Sequence, residues 1–254
     1  MARLEPLHPH IAWRRFPGLA RDLVQRRPRS FLADCQAMLK QVDVTWVDGE
    51  NVPTTGPFCL VANHYQRPGL WIGWTGALVS VAVAERRGGE VPRWLVLGDL
   101  PIQLGRWRFS LPGAAWAFER VATVWGLVPM TGFENAVNRA HSLRRLLGLL
   151  RAGEGAGFFP EGASGTAARL GPALPGTGRF LRLLARRGVA IIPVGVREAD
   201  GKLVARFGRP ITGWPDDREG PPDDRQLGAF VMQQIAACLE SPTVQSRTTL
   251  EPWQ

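Results

Sequence analysis

Apolar positions change period several times along this chain, and the changes mark its elements. Val42, Val44 and Trp46 alternate with Asp43, Thr45 and Val47, which predicts a strand ended by Asp48-Gly49. Phe58 to Ala62 is apolar at every position, the pattern of a strand covered on both faces. Leu70 to Ala84 carries no charge and reads as a helix too apolar to be exposed, closed by Glu85-Arg86-Arg87-Gly88-Gly89. Trp94 to Leu97 is a short strand. Residues 98–125 have no clean period except for a helix from Ala114 to Ala122, and Pro129 keeps the strand at Leu127 to Met130 short. Val137, Ala140, Leu143, Leu147 and Leu150 recur at helical spacing and predict a helix over 134–150 with Gly153 near its stop. A strand over 155–159, a helix over 178–187, strands over 189–196 and 203–207, and an amphipathic helix over 223–239 complete the chain.

Strands alternating with helices imply an α/β fold with a largely parallel central sheet flanked by helices. Two helices are expected before it, between Ile11 and Gln41, separated by Pro28, with Ser30 as the N-cap of the second. The first carries Trp13, Phe16, Leu19 and Leu23 beside Arg14, Arg15, Arg21, Arg26 and Arg27. An apolar stripe flanked by arginines is the pattern of an interfacial helix, and equally that of an ordinary amphipathic helix packed on its own domain. The division is therefore an N-terminal amphipathic helical segment, 1–41, that associates with membranes, and an α/β domain, 42–254.

Composition sharpens the partner. The net charge of +9 points to anionic partners, and it rests on arginine, since Lys40 and Lys202 are the only lysines. Ten tryptophans against one tyrosine favour the boundary between headgroup and hydrocarbon. The longest uncharged run, Pro68 to Ala84, falls short of the roughly 20 residues a spanning helix needs. No signal peptide is expected, because Arg14, Arg15, Pro17 and Arg21 interrupt the early residues. Cys35, Cys59 and Cys238 lie far apart, which fits reduced thiols with neither a disulfide frame nor a metal site. The expectation is a peripheral protein on the cytoplasmic side of the cell membrane. Charge alone suggests nucleic acid, and no binding motif accompanies it, so no nucleic-acid partner is expected.

Two stretches carry candidate chemistry. Asn63-His64 follows the apolar strand at a turn, and His64 alone of four histidines sits where a strand hands over to a helix. Phe159-Pro160-Glu161-Gly162 ends another apolar run and opens a loop rich in glycine and proline. With Gly126 to Gly132, Ile191-Ile192-Pro193-Val194 and a later Gly208-Arg209-Pro210-Ile211, these stretches stand in a fixed order. In that order the chain resembles the glycerolipid acyltransferase family, whose bacterial members acylate 1-acyl-glycerol-3-phosphate, over about residues 42–212. The resemblance implies a glycerol-3-phosphate-acyltransferase-like fold and His64 as general base. It further implies transfer of a fatty acyl group from an acyl-CoA or acyl-carrier-protein thioester to a lysophospholipid-like hydroxyl, with no permanently bound cofactor. Asn63, Glu161, Gly162 and Ser164 fall in the substrate-binding blocks, Glu161 being assigned to the acceptor.

The chain departs from the family pattern at three places. The family aspartate five residues after histidine is Gly69 here, an arginine of the second block falls near Thr131-Gly132, and Ala163-Ser164-Gly165 replaces Thr-Arg-Ser. A carboxylate behind a catalytic histidine fixes its tautomer, and its loss costs on the order of 10⁴ in rate in serine proteases. Asp99, Glu119 and Glu161 are the acids to inspect. Arg67, Arg169 and Arg179, with the helix start at Gly176-Thr177-Gly178, are the groups left to bind phosphate. A nucleophile elbow at Ser164 fails because position 166 is threonine. The open alternative is a non-catalytic lipid- or acyl-binding protein on the same fold.

Overall fold

The structure is a computed structural model that describes residues 16–97, 101–104, 107–110, 114–130, 136–162, 169–215 and 222–240. In chain order the elements are α1 (Leu19–Gln25), α2 (Phe31–Leu39), β1 (Val44–Val47), β2 (Phe58–Ala62), α3 (Gly73–Arg86) and β3 (Arg93–Leu97). They continue with β4 (Pro101–Leu104), β5 (Trp107–Ser110), α4 (Ala114–Trp125), β6 (Val128–Met130), α5 (Ala136–Arg151) and β7 (Gly155–Phe158). The last four are α6 (Thr177–Arg186), β8 (Ala190–Ala199), β9 (Lys202–Phe207) and α7 (Asp224–Glu240).

Seven strands form one sheet in the order β1-β9-β8-β2-β7-β3-β6. The strands from β8 to β6 run parallel, while β9 pairs antiparallel with β8 and carries β1 alongside it. This is the α/β architecture expected from the alternation of strands and helices. β2 occupies a central place, and its uniform apolarity follows from that. Phe58, Leu60 and Ala62 join the core beneath α2 and α3, whereas Cys59 and Val61 join Leu146 and Leu150 of α5, Leu181 and Leu184 of α6, and Ile235 of α7. Truncating Leu60 to alanine here would cost about 2–5 kcal/mol. All three cysteines are free and buried, and burial pushes the Cys59 thiol up to about 12.

The helices before the sheet are tied into the domain. Ser30 caps α2, accepting a hydrogen bond from the Ala33 amide at 3.2 Å. The buried side of α2 (Cys35, Leu39) packs in the α3 core. Arg29 is held between Asp22 at 2.8 Å and Asp34 at 2.7 Å, and the indole of Trp125 also donates to Asp34 at 2.7 Å. One guanidinium thereby joins α1, α2 and α4, and its hydrogen bond holds the Asp22 carboxyl below the usual carboxylate range. The helix expected from Ile11 begins at Leu19 among the described residues, with Phe16 in the turn before it, and the residues before 16 lie outside them. Among the described residues no helix is long and apolar enough to cross a membrane.

Two details differ from the sequence reading. β1 is buried at all four positions, Thr45 included, so its alternation does not mark a wet face. Residues 101–110 contain an antiparallel hairpin, β4–β5, pairing Pro101 with Ser110 through Leu104 with Trp107.

Candidate active site at the carboxyl edge of the sheet

Parallel strands end at one edge, and ligand crevices of α/β proteins form there, where connections leave adjacent strands toward opposite faces. β2 and β7 are such a pair: β2 leads to α3 on one face and β7 to α6 on the other. The loops that leave these two strands carry His64 and Glu161.

Asn63 fixes the point where the chain leaves β2. Its side-chain amide donates to the Val196 carbonyl at 2.9 Å and accepts from the Val196 amide at 2.7 Å. The side chain thus takes the place of a peptide in the ladder with β8. Tyr65 N–H then donates to the Asn63 carbonyl at 2.9 Å, which makes His64 the centre of a three-residue turn. Thr75, in the first turn of α3, holds the Tyr65 carbonyl at 3.2 Å.

Glu161 braces that turn from the neighbouring loop. It is 1% exposed, and its Oε1 accepts the backbone N–H of His64 at 2.7 Å, while its Oε2 accepts the Gly171 amide. Gly162 closes the tight turn that presents Glu161: its N–H donates to Phe159 O at 2.9 Å and its φ is +64°. A Cβ there would also meet the end of the Leu174 side chain at 2.7 Å, but it is the positive φ that favours glycine. The resemblance assigned Glu161 to the acceptor; the structure gives both of its oxygens to backbone amides.

His64 is 8% exposed, and its ring rests edge-on against Phe159, with ring centroids 5.4 Å apart at 81°. Phe159 stacks on Trp94 at 5.0 Å, Trp94 donates to Ser80 at 2.8 Å, and Ser80 donates to the Gly76 carbonyl at 2.6 Å. Gly157 leaves room for the indole, which lies 3.0 Å from where its Cβ would be. An aromatic stack anchored in α3 therefore limits the rotation of the histidine ring.

Gly69 sits in the turn Arg67-Pro68-Gly69-Leu70, where Leu70 N–H donates to the Arg67 carbonyl at 2.9 Å. Proline second and glycine third with φ +83° is the type II signature. Position 69 supplies no carboxylate, and an aspartate there would carry about 1–2 kcal/mol of left-handed strain. Of the other acids, Glu119 lies on α4 against Arg26 at 3.6 Å, and Asp99 lies outside the described residues.

Arg67 forms a bidentate pair with Glu198 at the end of β8, Nε–Oε1 at 2.7 Å and Nη2–Oε2 at 2.6 Å. The Tyr65 hydroxyl donates to Glu198 Oε1 and accepts from the Glu198 amide, both at 3.2 Å. Burial pushes the Tyr65 phenol above its ordinary range, and the hydrogen bonds to Glu198 raise Arg67.

Arg169 is exposed, two residues before Gly171, and Arg179 is exposed in the first turn of α6. The amides at that helix start are occupied by the chain itself: Asp224 of α7 accepts Gly176 N–H at 2.5 Å and Arg179 N–H at 3.0 Å. Ser164 lies outside the described residues, as do Thr131 and Gly132. The structure thus brings Asn63, His64, Glu161 and Gly162 together and ties Arg67 to the same turn, with Arg179 at the neighbouring helix start. Among the described residues no cluster of His, Cys, Asp or Glu has the makings of a metal site.

Sequence reasoning missed Tyr65, Trp94 and Glu198. A signal for Glu198 was present, an acid that follows Arg197 at the end of a strand apolar from Ala190 to Val196, which pairs in parallel with β2.

No curated protein matches the chain. A family model described as Acyltransferase matches residues 43–197, more than half of the sequence, from just before β1 to the last residues of β8. The stretch contains both loops that meet at His64. The chain belongs to the acyltransferase family, and that membership supports acyl transfer to a glycerolipid-type acceptor.

Proposed function

We propose that the protein transfers a fatty acyl group from an acyl-CoA or acyl-carrier-protein thioester to the hydroxyl of a lysophospholipid-like acceptor, with His64 as general base. One observation carries the reading: His64 stands at the carboxyl edge of the sheet on a turn whose backbone is pinned by Asn63 and by the buried Glu161. A turn so fixed aims the ring at one place, as positioned acid–base catalysis requires.

In the first step the imidazole removes the acceptor's hydroxyl proton as that oxygen attacks the thioester carbonyl. The tetrahedral intermediate then expels the thiolate, which takes the proton back from the imidazolium. The products are the new ester and the free thiol, and His64 ends neutral. Phe159 and Trp94 support this role by holding the ring plane, and Glu161 supports it by holding the backbone beneath.

The setting is the surface of a phospholipid membrane. Trp71 is 53% exposed directly before α3, and Trp116 is 51% exposed near the start of α4, both toward the edge that carries His64. Arg120 lies over the Trp116 ring at 4.9 Å and donates to the Val24 carbonyl, so α1 and α4 share one surface of arginine and apolar groups. Such a surface suits anionic headgroups above hydrocarbon.

Gly69 favours a second reading, a lipid- or acyl-binding protein without turnover, because the turn lacks the acid found there in the family. Labelled acyl thioester incubated with a panel of lysolipids separates the two. The active reading expects labelled diacyl product and a fall of about 10²–10⁴ in rate for His64→Ala. Acyl binding without product, or equal product from the variant, would overturn it.

A further inference from the structure

α5 and α6 lie on the same face of the sheet, over the core formed by Leu146, Leu150, Leu181 and Leu184. Their sequences, AVNRAHSLRRLLGLLR and TGRFLRLLAR, contain seven arginines and no acid. Leu146, Leu150, Leu181 and Leu184 face the core, and the charge lies outward: Arg144, Arg145 and Arg151 on α5, Arg179 on α6 and Arg187 just after it are exposed. Leu183, 42% exposed, stands among them on α6. A positive field of this kind, with one apolar contact within it, attracts an anionic macromolecule and gives it a place to settle.

Two features choose the class of partner. Tryptophan marks a surface that enters a lipid interface, and neither α5 nor α6 has one; the exposed Trp71 and Trp116 lie with α3 and α4, which pack on the other side of the sheet. The arginines also run along the helices, and each helix leads into a parallel strand, so both begin at the edge that carries His64 and run away from it. A bilayer seated on the tryptophans leaves this flank facing water, open to a protein.

We propose that the arginine face of α5 and α6 docks an acidic carrier protein, which delivers the acyl thioester over the carboxyl edge to His64. The proposal rests on the acyl-transfer reading of that site and selects between its two donors. Attraction between a basic face whose two helices carry no acid and an acidic partner acts mainly on encounter and weakens with salt.

The test uses the full chain and a fatty-acyl-loaded acidic carrier protein. Binding is measured by fluorescence anisotropy at low and physiological salt for wild type, Arg144→Glu/Arg145→Glu and Leu183→Ala. Turnover is measured with the loaded carrier and with acyl-CoA. The expected result is a Kd raised at least about 20-fold in the double variant and about threefold in Leu183→Ala. KM for the carrier donor rises in step, while turnover of acyl-CoA stays within about twofold. Wild type that fails to bind the carrier, or a double variant that binds it equally well, would overturn the proposal. So would a double variant that loses sedimentation with anionic vesicles but keeps the carrier, since the face would then belong to the bilayer. Carrier binding lost in the variant, with no transfer from either donor in wild type, would leave the docking face standing and remove the acyl-transfer reading.

Discussion

Glu161 and Glu198 both reach the His64 turn, one from the loop after β7 and the other from the end of β8. Glu161 is buried, and its carboxylate spans two backbone amides from different loops. Glu198 is partly exposed and spends its charge on two side chains of the turn, Arg67 and Tyr65. The first sets where the backbone of His64 is; the second ties down the residues just after it. A carboxylate on backbone amides has no substitute of the same shape, because glutamine turns one acceptor into a donor facing another donor. A carboxylate on an arginine belongs to a pair, and the pair can be removed together.

The contrast orders the expected effects. Glu161→Gln should lower kcat on the order of 10²-fold by shifting the ring from its line of attack. Stability should fall by about 2 kcal/mol in denaturant melts, the worth of a charge-assisted hydrogen bond. A kcat within threefold of wild type would mean that Asn63 alone holds the turn. Glu198→Ala should cost less, about tenfold in rate, because Glu198 holds the residues after His64 through Tyr65 and Arg67 and not the backbone amide that Glu161 takes. Removing Arg67 as well, as Arg67→Met/Glu198→Ala, should recover part of that loss; no recovery would mean that Glu198 acts on the turn directly.

The smallest effect is spectroscopic. Tyr65 is the only tyrosine in the chain, so its ionisation can be followed alone in the near ultraviolet. Its raised phenol should titrate above its ordinary value of about 10 in the folded protein and return to it on unfolding. A raised value means that the fold favours the neutral phenol. The contribution is present below about pH 10 and lost as pH rises through the folded value. Burial is the first cause, so most of the shift should survive Glu198→Ala. A midpoint at or below 10 would place the phenol in water.

What the sequence made legible was local. The continuous apolar run at 58–62 and the Ser30 cap each depend on neighbours within a few residues, and each appears in the structure. The helix read from the leucine spacing of α5 forms too, but it buries Leu146 and Leu150 while Ala140 is exposed. The β4–β5 hairpin was missed because Pro101 and four-residue strands leave too short an alternation to read. Asn63 and Glu161 were visible as motif residues, but their bonds were not. Asn63 reaches Val196, and Glu161 reaches His64 and Gly171, through the order of strands rather than along the chain. Arg67 read as a phosphate ligand for the same reason, since its partner stands 131 residues away.

The two bonds between Asn63 and Val196 also set an order of events. They join positions 133 residues apart, so the His64 turn takes its form only when β8 has been synthesised and laid beside β2. Contacts so far apart close late, after the local helices have formed. A chain that collapses with its helices in place but β8 displaced would have native-like helix content and no aimed histidine. Catalytic activity therefore reports the register of the central sheet.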